Sequence, residues 1–267
     1  MTPEHKLSRL KKILSGLGSV LVAYSGGVDS TFLLKISRDT LGNKIIAATA
    51  NSETYPKNEL RSSKQMARCF KVKHIIINTR ELNNKNFLRN PKNRCYFCKK
   101  ELFSKLKNIA GKHGIRFVID ATNYSDRKDF RPGNLAKKQL GVRSPLEEAR
   151  LTKEDIRKLS KKLGLPTWNK PSLACLASRI PYGTEIDKKI LNQINRAESF
   201  IRDMGFREVR LRHYNSLARI EVAKEDIPRL IAMRRLIIDR LKKLGYNYVT
   251  VDLEGYRTGS LNIGRQI

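Results

Sequence analysis

Apolar and polar positions follow two alternating patterns along the first two thirds of the chain. Short apolar runs predict buried strands at 20–23, 45–50, 72–77 and 115–119. Apolar residues three and four apart predict helices, among them 5–16, 57–70 and 152–163. Strands that alternate with helices of this length favour a parallel sheet covered on both faces. We therefore predict an α/β fold with a doubly wound, mostly parallel sheet over residues 1–168.

The pattern changes after a proline-bounded segment at 170–183. It then predicts a helix at 186–204, strands at 208–213 and 218–222, a long helix at 228–244 and a last strand at 248–253. The order helix, strand, strand, helix, strand is typical of a small α+β sandwich. We therefore predict a second, smaller α+β domain over residues 169–267, for substrate binding or oligomerisation.

A glycine turn with the sequence Ser-Gly-Gly-Val-Asp-Ser occupies positions 25–30, between the first predicted strand and a predicted helix. Gly26 and Gly27 let backbone N–H groups turn inward, and the helix N-terminus adds partial positive charge. Ser25 and Ser30 can add hydroxyl donors, and Asp29 can hold a magnesium ion at the same phosphates. A plain turn with a capping aspartate is the alternative. Because strand, paired glycines, serines and helix coincide here, the stretch predicts a nucleotide-binding loop.

Two cysteines stand in a Cys-x-x-Cys pair, Cys95 and Cys98, at the start of a predicted helix. This spacing puts both sulfurs within reach of one metal, but a redox dithiol and two buried cysteines remain open. Cys69 lies in an earlier predicted helix beside Met66 and Phe70, and we expect it to be a small core residue.

Polar residues also follow predicted strands, where ligands collect in open α/β sheets. Thr122 and Asn123 follow the strand at 115–119 after two intervening residues, and the loop continues to Arg131. In the second domain, alternation places Arg210 and Arg212 on one face of a strand, as a site for phosphate or carboxylate would require. An edge strand that uses charge to stay soluble would show the same pattern.

The chain carries a formal net charge of +30, with a pI near 10.3. Lysine and arginine are spread through the sequence, so this field would attract ATP, an anionic small substrate or RNA alike. Nucleic acid is therefore a possible partner that is not favoured. No apolar run approaches about 18 residues and the N-terminus lacks a signal-like apolar region, so we expect a cytoplasmic protein without a membrane partner. There the cysteines would be reduced, metal-bound or catalytic.

Positions 25–30 resemble the PP-loop of the ATP pyrophosphatases, which have the adenine nucleotide alpha hydrolase-like fold. The resemblance to one family in that group, the LarE sulfur transferases, extends over nearly the whole chain. It rests on Thr122-Asn123 with the Arg-Pro-Gly at 131–133, on the segment 174–183 around Cys175, and on the ending at 252–260.

This resemblance implies an activity. LarE proteins convert the carboxylates of pyridinium-3,5-biscarboxylate mononucleotide into thiocarboxylates, a step toward the nickel-pincer nucleotide cofactor of lactate racemase. ATP with Mg²⁺ adenylates a carboxylate, and a sulfur nucleophile then displaces AMP. The implied partner is thus an anionic mononucleotide, with an unknown sulfide source, and we expect a homo-oligomer.

The resemblance also implies how sulfur is delivered. Cys175 matches the family's sulfur-bearing cysteine, which in some members gives up its own sulfur and works once. Cys95 and Cys98 resemble the pair found in members with three cysteines, where a 4Fe-4S cluster keeps one iron open for an extra sulfide. We therefore expect a cluster held by these three residues and repeated turnover. The alternative is a zinc ion whose fourth ligand comes from Cys69, His74 or His113.

Further roles follow from the same resemblance. Asp29 and Cys175 are the expected catalytic residues, and the loop residues at 25–30 together with Thr122, Asn123 and Arg131 are expected to bind cofactor. Arg210 and Arg212 resemble paired arginines near the substrate phosphate. The last two expected positions, near a bound cation, are Glu198 and Glu221.

Three rival functions remain. A tRNA-thiolating PP-loop enzyme would use the same loop and a similar cluster, and the net charge supports it. Against it, the sequence has no paired zinc-ribbon Cys-x-x-Cys motifs at either end. A non-catalytic, zinc-stabilised RNA-binding protein would not need the glycine loop, and an amide-forming ligase would need an ammonia-supplying region that the sequence lacks.

Overall fold

The chain divides into two units. The computed structural model describes residues 1–55, 57–128, 132–171 and 174–257. The first unit comprises residues 1–84 and 93–173, and the second comprises residues 85–92 and 174–267. A short segment of the first half of the chain thus belongs to the second unit.

The first unit is built from four strands and seven helices within the described ranges. Its strands are β1 (Val20–Ala23), β2 (Ile45–Asn51), β3 (Lys73–Asn78) and β4 (Phe117–Ile119). Its helices are α1 (Pro3–Leu17), α2 (Val28–Leu41), α3 (Lys57–Cys69), α5 (Arg94–Lys112), α6 (Gly133–Gln139), α7 (Pro145–Glu148) and α8 (Lys153–Lys162), with α4 (Lys85–Leu88) in the second unit. Short 3-10 turns occupy Glu81–Asn83 and Tyr124–Lys128.

The four strands form one parallel sheet in the order β3-β2-β1-β4. Alternate residues of β1 belong to different cores: Val20 and Val22 pack in a cluster with α1, α2 and α8, whereas Leu21 packs in a cluster with α5. Helices therefore cover both faces, and the predicted α/β class with a mostly parallel sheet is confirmed. Such a sheet needs apolar residues on both sides, which explains the continuous apolar runs of its strands.

Cys69 does not lie in the core, and the prediction that it would was wrong. The thiol is exposed, although Ala67 is fully buried and Met66 and Phe70 pack against the core. Because α3 turns about 100° per residue, a position two residues from the buried Ala67 lies on the opposite side of the helix.

The second unit contains a three-stranded mixed sheet with strand order β5-β6-β7. Pairing is antiparallel between β5 and β6 and parallel between β6 and β7. Its strands are β5 (Val209–Tyr214), β6 (Leu217–Val222) and β7 (Tyr248–Val251), its remaining helices are α9 (Lys188–Asp203), α10 (Ile227–Ala232) and α11 (Arg234–Lys243), and 3-10 turns occupy Leu176–Arg179 and Lys224–Asp226. The apolar face of α9 is fully buried in this unit.

The helix predicted as one piece at 228–244 is two helices. They meet at Met233, whose backbone at φ −91° and ψ 11° leaves the α-helical region. The periodicity of apolar residues continues through this residue, so the sequence pattern did not reveal the break.

None of the helices in the described part of the chain combines the length and the apolar character that a membrane crossing requires.

Candidate active site

The glycine loop joins β1 to α2 as predicted. Gly26 has a φ of 67°, and a Cβ there would lie 3.1 Å from the Cβ of Ser63 on α3, so both the conformation and the close approach require glycine. Gly27 is the N-cap of α2 and brings no side chain of its own to that helix end. The oxygens Ser25 Oγ and Ser30 Oγ lie 3.0 Å apart. The loop thus presents two hydroxyls at an uncapped helix N-terminus, where an anion is stabilised.

Three consecutive carbonyls of this loop, those of residues 24–26, are each held by a side chain. Thr49 Oγ1 donates to the first at 2.7 Å, the Tyr55 hydroxyl donates to the second, and Lys170 Nζ donates to the third at 3.2 Å. Because the N–H of the next residue points opposite to each carbonyl in a planar peptide, these bonds fix the direction of the loop's N–H groups. Thr49, Tyr55 and Lys170 were missed in the sequence, since they reach the loop from distant positions.

Asp29 lies in the first turn of α2, and its two carboxylate oxygens have different surroundings. Oδ2 pairs with Lys153 Nζ at 2.5 Å. Oδ1 is buried, and within the described part of the chain it has no hydrogen-bond partner. A carboxylate with one orphaned oxygen fits a divalent cation, because a metal ion would supply the missing interaction.

Three aromatic side chains near the loop are uncharged, those of Tyr24, Tyr55 and His74. Burial raises the pKa of Tyr24 to about 12 and also raises that of Tyr55. His74 Nε2 lies 2.8 Å from Thr49 Oγ1, and because that hydroxyl donates to a carbonyl, Nε2 must carry the proton. Burial lowers the pKa of His74 to about 4. Because Nε2 donates its proton to Thr49, this nitrogen has no lone pair to offer a zinc ion, which argues against His74 as the fourth zinc ligand.

Thr122 and Asn123 follow β4, beside the end of β1. Thr122 Oγ1 donates to Asp120 at 2.8 Å and accepts from Lys137 Nζ at 2.8 Å. Asn123 is buried, and its Oδ1 accepts from the backbone N–H of Ser125 at 2.9 Å. Both side chains thus stabilise the turn, and cofactor binding by them stays a prediction. The third residue of this group, Arg131, lies outside the described residues.

Cys95 and Cys98 are the second and the fifth residue of α5, about one helical turn apart. Cys95 is exposed and Cys98 is half-buried. Cys98 Sγ lies 3.6 Å from Oε1 of Glu81, a residue that is 4% exposed. The other oxygen of Glu81 is buried without a hydrogen-bond partner among the described residues. The sequence pattern did not indicate Glu81, which precedes Cys98 by 17 positions.

Cys175 is an exposed residue in the second unit, at the start of the turn Leu176–Arg179. The fully buried Arg179 donates to the carbonyls of Ala174 and Cys175, at 2.8 Å and 3.2 Å. Arg179 therefore fixes the backbone that carries this thiol. The ammonium of Lys170, which precedes Cys175 by five positions, lies 2.6 Å from Glu59 in the first unit.

Glu198 is buried among cations. Arg179 Nε donates to Glu198 Oε1 at 2.7 Å, and Arg202 forms a second ion pair with the same carboxylate. Burial alone would raise the pKa of Glu198, but these two guanidinium groups hold it below the ordinary value.

Glu221 and the two arginines of β5 are also buried. Arg212 binds Glu221 through two nitrogens, at 2.9 Å and 2.7 Å. Arg210 stacks over the ring of Tyr256 at 4.9 Å, and burial lowers its pKa. Arg210 and Arg212 do share one face of β5, as predicted. Phosphate binding by these arginines and cation binding by Glu198 and Glu221 stay predictions, and a cation would have to compete with existing arginine pairs.

Among the described residues, neither unit by itself contains a complete metal site. Within either unit, no three histidine, cysteine or acidic side chains of the described residues are grouped as metal ligands. Cys95 and Cys98 belong to the first unit and Cys175 to the second.

Comparisons with known proteins extend this picture. The chain matches no family model. It is 42% identical over 261 residues to an uncharacterized protein of Synechocystis sp., covering 97% of both chains. It is 36% identical over 258 residues to the pyridinium-3,5-bisthiocarboxylic acid mononucleotide synthase of Lactiplantibacillus plantarum, covering 96% of this chain and 94% of that protein. One subunit of the glutamine-hydrolyzing GMP synthase of Thermoplasma volcanium is 25% identical over 178 residues, which are 60% of this chain and 57% of that subunit.

The parallel sheet, the glycine loop and these relatives together define the class: an α/β enzyme of the ATP-utilising kind. The match to the Lactiplantibacillus synthase covers nearly the full length of both proteins at well over 30% identity. The chain therefore belongs to the family of that synthase, the LarE family.

Proposed function

We propose that this protein is an ATP-dependent sulfur transferase. Its substrate is pyridinium-3,5-biscarboxylate mononucleotide, and its product carries thiocarboxylates for the nickel-pincer nucleotide cofactor. In the first step a substrate carboxylate attacks the α-phosphorus of ATP, which forms an acyl adenylate and releases pyrophosphate. In the second step a sulfur nucleophile attacks the acyl carbon and AMP leaves. Adenylation is needed because a free carboxylate is a poor electrophile.

One observation supports the first step above all: the orphaned oxygen of Asp29 at the uncapped N-terminus of α2. Mg²⁺ prefers oxygen ligands and commonly binds one carboxylate together with substrate phosphates. Asp29 would hold the metal, and the backbone of Gly26 and Gly27 with the hydroxyls of Ser25 and Ser30 would bind the phosphates. The side chains that fix the loop carbonyls would preserve this arrangement before ATP arrives.

Sulfur delivery is proposed from the cysteines. Cys175 is exposed, as a group that receives or gives up sulfur must be. Cys95 and Cys98 lie one helical turn apart, and the buried oxygen of Glu81 beside Cys98 lacks a described partner, so these residues fit a bound metal centre. A 4Fe-4S cluster bound by Cys95, Cys98 and Cys175 would supply an open iron that can carry an extra sulfide.

The test is a reconstitution without oxygen. Protein purified anaerobically is incubated with Mg·ATP, sulfide and the pyridinium mononucleotide, and thiocarboxylate, AMP and pyrophosphate are quantified. We expect stoichiometric AMP and pyrophosphate and more than one thiocarboxylate per protein. A loss of one hydrogen sulfide from Cys175 with a single turnover would show sacrificial chemistry, and the absence of pyrophosphate release would overturn the proposal.

Cysteine variants test the cluster separately. Brown protein with broad visible absorption and about four irons per chain is expected. Cys95→Ser, Cys98→Ser and Cys175→Ser should each lose most of the iron, whereas Cys69→Ser, at an exposed site on α3, should retain it. Colourless protein that contains zinc would contradict the cluster.

The net charge of +30 favours a second candidate, a tRNA-thiolating enzyme. The same incubation with tRNA in place of the mononucleotide separates the two. We expect no thiolated tRNA; thiolation of tRNA alone would establish the rival function.

A further inference from the structure

Lys153, which has no role in the function proposed above, contacts a residue of the glycine loop. Lys153 is the first residue of α8, and its Nζ is 2.5 Å from Asp29 Oδ2. The side chains of Lys153 and Asp29 are 34% and 21% exposed, so the pair is open to solvent on one side. The carboxylate proposed to hold the metal is thus already neutralised by an ammonium group.

The backbone of Lys153 is fixed independently of this ion pair. Thr152 and Asp155 form a capping box at the start of α8, and the N–H of Lys153 donates to Ser125 Oγ at 3.1 Å. Asp155 is in turn paired with Lys6 at 2.6 Å. The side chain of Lys153 can therefore change its partner while its Cα stays in place, because a lysine has a flexible four-carbon stem.

A metal ion on Asp29 would disturb the present pairing. A divalent cation bound to this carboxylate would repel the neighbouring ammonium group, which would then need another anionic partner. The phosphates of a nucleotide held by the same loop would be that partner. Lys170, the other lysine at the loop, is 19% exposed and is held by Glu59 and by the carbonyl of Gly26, so it already serves the loop itself.

We propose that Lys153 exchanges partners during the reaction. It neutralises Asp29 while the loop is empty, and it binds the phosphate groups of the nucleotide, and then the released pyrophosphate, once Asp29 holds the metal. This inference rests on the proposed function, since it takes the loop to be the site of Mg·ATP. It assigns Lys153 a role in binding the triphosphate that its position in the sequence, 123 residues after the loop, did not indicate.

The exchange makes a prediction without metal. In EDTA, Asp29→Asn removes the carboxylate and releases Lys153, so this variant should bind inorganic pyrophosphate about tenfold or more tightly than the wild type in calorimetry. The gain should vanish in Asp29→Asn/Lys153→Met. If the double variant binds pyrophosphate as tightly as Asp29→Asn, Lys153 does not reach the phosphates and the proposal is wrong.

The second measurement uses Mg²⁺ with a non-hydrolysable ATP analogue. Lys153→Met should weaken binding about tenfold or more, Lys153→Arg should restore most of it, and the matched control Lys158→Met, at an exposed position of the same helix, should bind like the wild type. Unchanged binding in Lys153→Met would overturn the role, as would a loss accompanied by a lower melting temperature that Lys153→Arg does not repair.

The two proposals can fail separately. A wild type that does not bind the Mg²⁺-bound analogue would overturn the proposed function. The pyrophosphate result in EDTA would still decide whether Lys153 serves an anion site at this loop.

Discussion

Single residues of the second unit show how much charge this fold buries. Arg179 and Glu198 are both fully buried, and Arg210, Arg212 and Glu221 are at most 5% exposed. Each of the two glutamates is paired with two arginines, so the buried charges stabilise one another only as complete groups. Removing one member leaves the others uncompensated, which is more costly than the net contribution of the intact group.

Glu198→Gln is therefore expected to destabilise the second unit by about 3–5 kcal/mol. The variant keeps the shape of the side chain but leaves Arg179 and Arg202 without their counter-charge. Urea unfolding followed by circular dichroism measures the change. Glu154→Gln is the matched control, because Glu154 pairs with Lys158 at an exposed site and should change stability by less than about 0.5 kcal/mol. A loss below about 1 kcal/mol for Glu198→Gln would contradict this account.

The half-buried histidine of the first unit, His74, predicts a pH dependence. His74 has its pKa lowered to about 4 in the folded protein, chiefly because burial disfavours the charged ring, against 6.5 for the exposed group. Between these values the unfolded chain binds more protons, so stability is fully present above pH 6.5 and is lost as the pH falls toward 4. The urea midpoint of the wild type should fall in this window, and that of His74→Gln should fall less. Parallel curves for both proteins would rule out His74 as the cause.

Residue identities predicted the parts of the site that are local in sequence. The loop at 25–30 turns from strand to helix as its glycines required, and Cys95 with Cys98 opens a helix as their surroundings indicated. The side chains that hold the loop from outside could not be predicted. These side chains are those of Thr49, Tyr55, Lys153 and Lys170. Each contacts a residue of the loop that is 25 to 144 positions away in sequence, and each is of a residue type that is also common in strands or on surfaces.

At the scale of elements, periodicity predicted most helices because one face of each must be buried, and continuous apolar runs predicted the strands of the parallel sheet because both of their faces are covered. Periodicity failed where only a few residues of a segment are buried. The polar stretch that contains Phe87 and Asn90 showed no period, yet both residues are fully or nearly fully buried. The boundary at Met233 was missed for the opposite reason, since the apolar pattern of two helices runs through it unchanged.

The start of α8 is closed by a capping box, whose contribution to stability can be measured. Thr152 Oγ1 accepts from the N–H of Asp155 at 3.2 Å, and Asp155 Oδ2 accepts from the N–H of Thr152 at 3.0 Å. Thr152→Ala should lower the free energy of unfolding by about 1 kcal/mol, whereas Thr152→Ser should be nearly neutral. Urea unfolding distinguishes them; equal stability of all three proteins would show that the cap contributes nothing.

On the scale of the whole molecule, the division of the chain into units does not follow its order in sequence. Residues 85–92 belong to the second unit, although 81 residues of the first unit lie between them and residue 174. Within that unit Asn90 Nδ2 donates to the carbonyls of Pro181 and Thr184, at 2.7 Å and 3.0 Å. The side chain of Asn90 thus satisfies backbone carbonyls of the turn at 181–184. Because these residues are about 90 positions apart, the sequence did not indicate this role.

A fragment of residues 174–267 is therefore expected not to fold by itself. It would lack Phe87, which is 2% exposed and whose loss from a core costs about 3–5 kcal/mol. It would also leave the carbonyls served by Asn90 without a donor, at about 1–3 kcal/mol for each one that stays buried. These costs approach the roughly 5–15 kcal/mol that stabilises a typical domain. Thermal unfolding by circular dichroism should show no cooperative transition for the fragment, and a transition should return when residues 85–92 are fused ahead of residue 174 through a glycine-serine linker. Cooperative unfolding of the fragment alone would mean that the segment is dispensable for this unit.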